Sequence, residues 1–109
     1  MAKIYQVILT EFAEERLEEI TNYLLENASY DVAHKVVNGM LDAIEKLAKL
    51  PNANPKELAI CNEQIIYRRI LKWSYKIIYT VVEDEIQVIV VDIRHTSEDP
   101  KKIIDRFDS

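Results

Sequence analysis

Four cations stand close together in the second half of the chain. Gln64 to Val82 carries Arg68, Arg69, Lys72 and Lys76 and no acid at all. Such side chains bind anions: the guanidinium fork matches carboxylate and phosphate, and the ammonium adds a mobile point charge. Arg94 and His95 follow. His95 brings an imidazole whose unperturbed pKa lies near neutrality, which suits acid–base work. Trp73 sits between two strand-like runs. Exposed there, it is a contact residue; packed against a hairpin, it is structural. Cys61 is the only cysteine, so neither an intramolecular disulfide nor a cysteine-cluster metal site can form. His34 and His95 are far apart and belong to no ligand motif, so neither metal nor cofactor is expected. A single glycine leaves little room for a glycine-rich phosphate loop.

The cations stand out because the rest of the chain is acidic. Residues 1–63 hold six Lys/Arg against eleven Asp/Glu, a net charge of −5, whereas residues 64–109 hold eight of each. An acidic body argues against broad nucleic-acid binding, and the local basic island permits one directed anionic contact. The 109 residues fit one domain, 1–109, with a single modest core. Met-Ala-Lys-Ile-Tyr-Gln at the start contains no secretory apolar region. No apolar run approaches the roughly 18 residues of a membrane span. The expected compartment is the cytoplasm, and no membrane partner is expected.

The elements that must position these residues follow from periodicity. Lys3 to Leu9 reads as a strand, and Thr10 as the N-cap of a first helix. Ala13, Leu17, Ile20 and Leu24 recur at helical spacing, with Glu14, Glu15, Glu18 and Glu19 on the other side. Asn27 to Asp31 breaks the pattern and supplies the next cap, Ser29 or Asp31. The second helix, with Val36, Met40 and Ile44 on its apolar stripe, runs to about Leu50, where Pro51 and Pro55 end it. The period then changes to two. Ile65–Trp73, Tyr75–Val82 and Ile86–Arg94 read as strands of an antiparallel meander, turning at Ser74 and at Glu83-Asp84-Glu85. The last strand is apolar on both faces, which predicts a central, covered position. Tyr75, Ile77 and Tyr79 share one strand face and read as core. Asp99-Pro100 opens a short C-terminal helix, Pro100 to about Phe107. The order βααβββα predicts an α+β domain: an N-terminal strand and a helical hairpin packed on an antiparallel sheet.

This order and several local motifs resemble the RelE/ParE family of toxins from type II toxin–antitoxin systems, over essentially the whole chain. The residues that carry the likeness are Tyr5-Gln6-Val7-Ile8-Leu9-Thr10-Glu11-Phe12-Ala13, Leu17-Glu18-Glu19-Ile20, Tyr23-Leu24, and Ile44-Glu45-Lys46-Leu47 with Leu50-Pro51. The strongest are Tyr67-Arg68, Tyr75-Lys76-Ile77-Ile78-Tyr79 and Ile93-Arg94-His95-Thr96-Ser97-Glu98-Asp99-Pro100. The resemblance implies a toxin neutralised by a cognate antitoxin; the apolar surface awaiting that antitoxin leaves a homodimer as an option when it is absent.

Two activities occur on this fold: ribosome-dependent mRNA cleavage in RelE-like members, and poisoning of DNA gyrase in ParE-like ones. Metal-free RNA cleavage needs help in deprotonating a 2′-hydroxyl, charge stabilisation at the phosphate, and an acid for the leaving oxygen. By resemblance, Lys76 and Arg69 fall at or near catalytic positions of the ribonucleases. Arg94 and His95 lie near the last catalytic arginine, whose best-aligned position is Thr96. No tyrosine follows Tyr79, so the C-terminal tyrosine of the ribonuclease site is missing. The expectation is therefore a ParE-like, non-enzymatic gyrase inhibitor, with Arg68, Arg69, Lys72, Trp73, Lys76, Arg94 and His95 as target or antitoxin contacts. The alternatives are a ribonuclease using Arg69, Lys76, Arg94 and His95, and a degenerate toxin that only binds antitoxin. Structural readings stand beside these. Arg68 reads as an ion-pair residue with Asp92 as candidate partner, Arg69 and Lys76 as solvated strand positions, His95 as a turn residue and His34 as surface.

Overall fold

The computed structural model describes residues 3–98. Thr10 ends strand β1 (Gln6–Leu9), and its hydroxyl accepts the Ala13 amide at 3.1 Å to cap helix α1 (Glu11–Asn27). The first amides of a helix have no intrahelical acceptor, so a short hydroxyl side chain in extended backbone fits this place. Ser29 does the same for α2 (Tyr30–Glu45), accepting the Val32 amide at 3.1 Å. Asp31 falls inside the first turn of α2, where its charge faces the positive end of the helix.

Helix α2 stops at Glu45, short of Leu50. Lys46–Ala48 tightens into a 3-10 turn, Leu50 takes a left-handed backbone (φ 52°), and Pro51–Ala53 forms a second 3-10 turn. Leu47 is nevertheless buried, which is why the apolar pattern continues past the helix end.

Strands β2 (Tyr67–Lys72), β3 (Tyr75–Val82) and β4 (Gln87–His95) form the expected antiparallel meander. The order across the sheet is β1-β4-β3-β2, and β1 lies parallel to β4, so the four-stranded sheet is mixed. β4 is central, as its apolar run implies. Its register with β3 passes from Tyr79↔Val90 directly to Ile78↔Asp92. Val91 is the extra residue of a β-bulge, and a bulge reverses which face the following side chains take. Val88, Val90 and Ile93 thus all join the helix-side core with Ala13, Met40, Ile44, Ile77 and Tyr79. Asp92 and Arg94 turn to the opposite face.

That opposite face carries a smaller cluster, Ile60 and Ile78 with Tyr67 and Val91 packed against it. Ile60 comes from the irregular segment between Ala53 and β2, which bridges the outer edge of β2 at Lys56↔Arg68. The β2–β3 turn is Trp73-Ser74, with Trp73 at φ 52°. Its indole lies against α2 at Gly39, where an added Cβ would meet Cη2 at 2.2 Å. Trp73 is still 52% exposed, so it is packed on one side and open on the other. No helix among the described residues is long and apolar enough to cross a membrane. The C-terminal helix expected over Pro100–Phe107 lies outside the described residues.

Candidate functional site: cations on both faces of the sheet

The pleat divides the basic island. Directly paired residues share a face, and successive residues alternate. Arg68 pairs with Tyr79 and Lys72 with Tyr75, on the helix side; Arg69 pairs with Ile78 and Leu71 with Lys76, on the other. Arg94 pairs with Lys76 and so joins the second face, whereas His95 pairs with Tyr75 on the first. The four-cation run is therefore two pairs facing opposite ways. Only Arg69, Lys76 and Arg94 share one face, from three adjacent strands.

Each of those three already meets a carboxylate. Lys76 Nζ lies 2.9 Å from Glu57 Oε2, and Arg69 Nε lies 4.0 Å from the same oxygen. Arg69 also donates from Nη1 to the Lys56 carbonyl at 2.6 Å. Arg94 is 8% exposed and donates from Nη2 and Nε to Asp92 Oδ2, at 2.7 and 3.1 Å. The expected pairing of Arg68 with Asp92 does not occur. Arg68 sits opposite Tyr79 while Asp92 sits opposite Ile78, one position on and on the other face. Arg68 instead donates from Nη1 to the Asn54 carbonyl at 2.7 Å, and Asn54 Nδ2 donates to the Tyr79 hydroxyl at 2.9 Å. That hydroxyl donates to the Pro51 carbonyl at 2.5 Å. Burial, opposed by Asn54 and Arg68, holds the Tyr79 phenol above its usual range.

The remaining candidates have local structural partners. Lys72 Nζ stands 4.7 Å over the Trp73 ring, a cation–π contact. His95 Nδ1 accepts the Ser97 amide at 3.0 Å, and the ring meets Tyr75 edge-on at 5.4 Å between centroids. His95 is the last residue of β4 rather than a turn residue, and it accepts from the turn that follows. His34 is exposed on α2 and stacks on Tyr30. Among the described residues, no group of three or more His, Cys, Asp or Glu is placed to hold a metal ion.

With this geometry in hand, the likeness to known proteins becomes specific. Residues 7–100 match the family described as the ParE toxin of the type II toxin–antitoxin system parDE. The chain belongs to the ParE toxin family. Among curated proteins, none matches it significantly. Among solved structures, it is similar to a chain of the chromosomal ParDE system from P. aeruginosa, with a TM-score of 0.67 at 13% identity, covering 84% of this chain and 96% of that one. It is also similar to a chain of the RelBE2 toxin–antitoxin complex from Mycobacterium tuberculosis, with a TM-score of 0.53 at 16% identity, covering 85% and 92%. At such identities the shared property is the fold.

The ParE-family sequence pattern left one cluster unannounced. Strand β1 ends at Leu9, and its last rung to β4 is the Thr10 amide on the Val90 carbonyl at 3.0 Å. Beyond it, the edge of β4 needs another donor. Arg16 of α1 supplies it, donating from Nε to the Ile93 carbonyl at 3.0 Å, with Asp92 Oδ1 at 3.8 Å. Its other nitrogens reach Glu19 and Glu98, and Glu98 Oε2 lies 3.7 Å from Arg94 Nη1. Burial works against the Arg16 charge, but Glu98, Asp92 and Glu19 outweigh it and hold its pKa above the ordinary value. In sequence, Arg16 is one basic residue in an acidic helix face. Its only visible signal is being the sole cation among six acids in α1.

Proposed function

We propose that this ParE-family toxin acts by binding, as an inhibitor of DNA gyrase, and is neutralised by a cognate antitoxin. The antitoxin reading is supported by the family and by the solved relatives being toxin–antitoxin systems. The observation that carries the choice of activity is the dispersal of the ribonuclease set. Arg94 is buried and doubly bonded to Asp92, Lys76 is held by Glu57, and His95 faces the other side of the sheet. A metal-free ribonuclease needs a base, an acid and phosphate-stabilising cations converging within hydrogen-bond reach of one phosphodiester. Here the proton-transfer group and the cations are separated by the sheet itself. A binding protein has no such requirement. It needs a stable exposed surface, which Leu71 beside the partly exposed Arg69 provides.

One observation favours the RelE-like ribonuclease as the second reading: Arg69, Lys76 and Arg94 do lie on one face of three neighbouring strands. Induced expression of this chain alone separates the readings. Gyrase inhibition gives growth arrest with DNA breaks and filamentation while mRNA stays intact. Ribosome-dependent mRNA cleavage in a purified translation system would overturn the proposal. Absence of any toxicity would leave the chain as an antitoxin-binding module.

A further inference from the structure

A cleft lies on the helix side of the sheet, between α1, the Tyr75 end of β3 and the His95 end of β4. It holds about 520 Å³, within the roughly 300–1,000 Å³ of ligand pockets. Arg16, Glu19, Ile20 and Tyr23 form one wall, at the spacing of a single helical face. Tyr75 and His95, paired across β3 and β4, form the other, and Glu98 closes the end. The aromatic part is well seated. Tyr75 and Ile20 pack against the main core, and His95 meets Tyr75 edge-on at 5.4 Å. Burial, and then the neighbouring Tyr23, hold the Tyr75 phenol above its ordinary range. Tyr23 itself is 63% exposed, so its ring stands free at the rim.

The charges of the cleft are unequal. Arg16 is the one cation among the described residues that line it, and each of its nitrogens is engaged. Nε donates to the Ile93 carbonyl at 3.0 Å, Nη1 to Glu19 at 3.1 Å and Nη2 to Glu98. The His95 ring adds no charge, because Nδ1 accepts the Ser97 amide at 3.0 Å and an amide can only donate. Glu19 uses Oε2 alone; at 64% side-chain exposure, its Oε1 has no partner among the described residues. The surrounding helix carries six acids against that single arginine. A ligand entering here therefore meets aromatic rings, an open carboxylate and an acidic field.

That combination selects a planar cation. The ring quadrupole attracts positive charge, and the carboxylate takes its N–H groups. A guanidinium satisfies both at once, since its face stacks on a ring while its edge forks onto oxygen; an ammonium cannot do both. A phosphate-bearing ligand is repelled by the same acids. Arginine against tyrosine is also a pairing enriched where proteins meet. We propose that this cleft receives an arginine side chain of a partner protein, stacked on Tyr23 and Tyr75 and hydrogen-bonded to Glu19. Arg69 and Leu71 face the other side of the sheet, so this contact is separate from the proposed target surface and holds whether or not that target is gyrase.

The test titrates the purified full chain at low ionic strength with Nα-acetyl-L-argininamide, following the Tyr75, Ser97 and Glu98 amides by NMR. The citrulline analogue keeps the shape and loses the charge, and is expected to bind about ten-fold more weakly. Tyr23→Ala, at an exposed ring, is expected to weaken arginine binding about three-fold, and Glu19→Gln about five-fold. Glu18→Gln removes the same charge from α1 outside the cleft and is expected to change it less than about two-fold. Equal binding of the citrulline analogue overturns the proposal, as does an equal loss in Glu18→Gln or an unchanged constant in Tyr23→Ala. Preferred binding of adenosine monophosphate reassigns the cleft to a nucleotide and overturns it too. So does binding of free arginine about ten-fold tighter than the capped form, which marks a metabolite site. An about ten-fold gain in Arg106→Gln would show the chain's own arginine to be the occupant, and likewise overturns the assignment to a partner.

Discussion

Asp92 shows how much one buried carboxylate organises. It is fully buried, bonded twice by Arg94, and within 3.8 Å of Arg16. Removing one partner of a buried ion pair leaves the other charge desolvated and uncompensated, which costs about 3–5 kcal/mol. Asp92→Ala is therefore expected to lower unfolding free energy by roughly that amount in urea titrations. Asp42→Ala, at the exposed pair with Lys46, should cost less than about 1 kcal/mol. Equal effects would show that the network is not the anchor of this end of β4. In the sequence, Asp92 is legible as a polar residue inside an apolar strand. Its partner is not, because the bulge at Val91 changes the parity that decides which arginine it can reach. A second residue-scale device joins the N-terminal segment to the β3–β4 turn. Tyr5 donates its hydroxyl to Glu83 at 2.9 and 3.0 Å, Asn52 donates at 2.6 Å, and Lys3 lies at 3.5 Å. Hydrogen bonds from Asn52 and Tyr5 hold the Glu83 carboxyl below its ordinary 4.5, and the Glu83 hydrogen bond holds the Tyr5 phenol above its ordinary 10.0. The stabilisation from Glu83 is complete above 4.5 and is lost as pH falls through the lowered folded value. That from Tyr5 is complete below 10.0 and is lost as pH rises through the raised one. Tyr5→Phe should remove the alkaline loss and shift the Glu83 carboxyl titration upward in carbon-13 NMR; an unmoved Glu83 titration would show the contact to be absent in solution.

At the scale of elements, the sequence was most informative where a single side chain sets a boundary. Thr10 caps α1 as its position implies, and of the two candidates for α2, Ser29 and Asp31, Ser29 is the cap, because a hydroxyl at an apolar-to-helical transition has few other uses. The meander was legible from its period and short turns, and the central place of β4 from its two-sided apolarity. The parallel pairing of β1 with β4 was not, since a strand carries no mark of its partner's direction. Helix α2 ends short of the Leu50 that the apolar pattern implies, because Leu47 stays in core register through a 3-10 turn. Gly39 was also opaque. Its meaning is the Trp73 ring, whose Cη2 and Cζ3 would stand 2.2 and 2.6 Å from a new Cβ. Two effects oppose each other in Gly39→Ala. Alanine gains about 1 kcal/mol of helix propensity, and the ring must leave its seat. The ring is the free end of a side chain on an exposed turn, so it can swing away with little cost to the backbone. The expected result is a red-shifted tryptophan fluorescence with a stability change within about 1 kcal/mol. Unchanged emission would show that the indole does not rest on α2.

At the scale of the whole molecule, the four-cation run is where sequence reading and structure differ most. Read along the chain, Arg68, Arg69, Lys72 and Lys76 are one island; folded, they are two groups separated by the thickness of a sheet. Their local charge is also met from outside the run, by Glu57 arriving from the segment before β2. Neither fact is visible without a register, and register depends on contacts far apart in sequence. The family was legible because it rests on the order of elements and short motifs, which survive local rearrangement; residues 7–100 match it as a unit. The division of the island makes two adjacent arginines unequal, and that inequality is testable in one organism. Arg68 holds the Asn54 carbonyl beside the Tyr79–Pro51 contact, so Arg68→Ala removes a charge-assisted bond that ties the segment after α2 to the sheet. A loss of about 1.5–3 kcal/mol is expected, with toxicity falling only as far as folded protein falls. Arg69 is a third exposed and 4.0 Å from Glu57, so Arg69→Ala should cost less than about 1 kcal/mol. On the proposed contact face, the same change should weaken growth arrest at unchanged protein level. Thermal unfolding of the purified variants and an inducer titration of growth read the two axes separately. If Arg68→Ala lowers toxicity at full stability while Arg69→Ala leaves it intact, the contact surface is the helix side of the sheet, and the assignment made from the pleat is reversed.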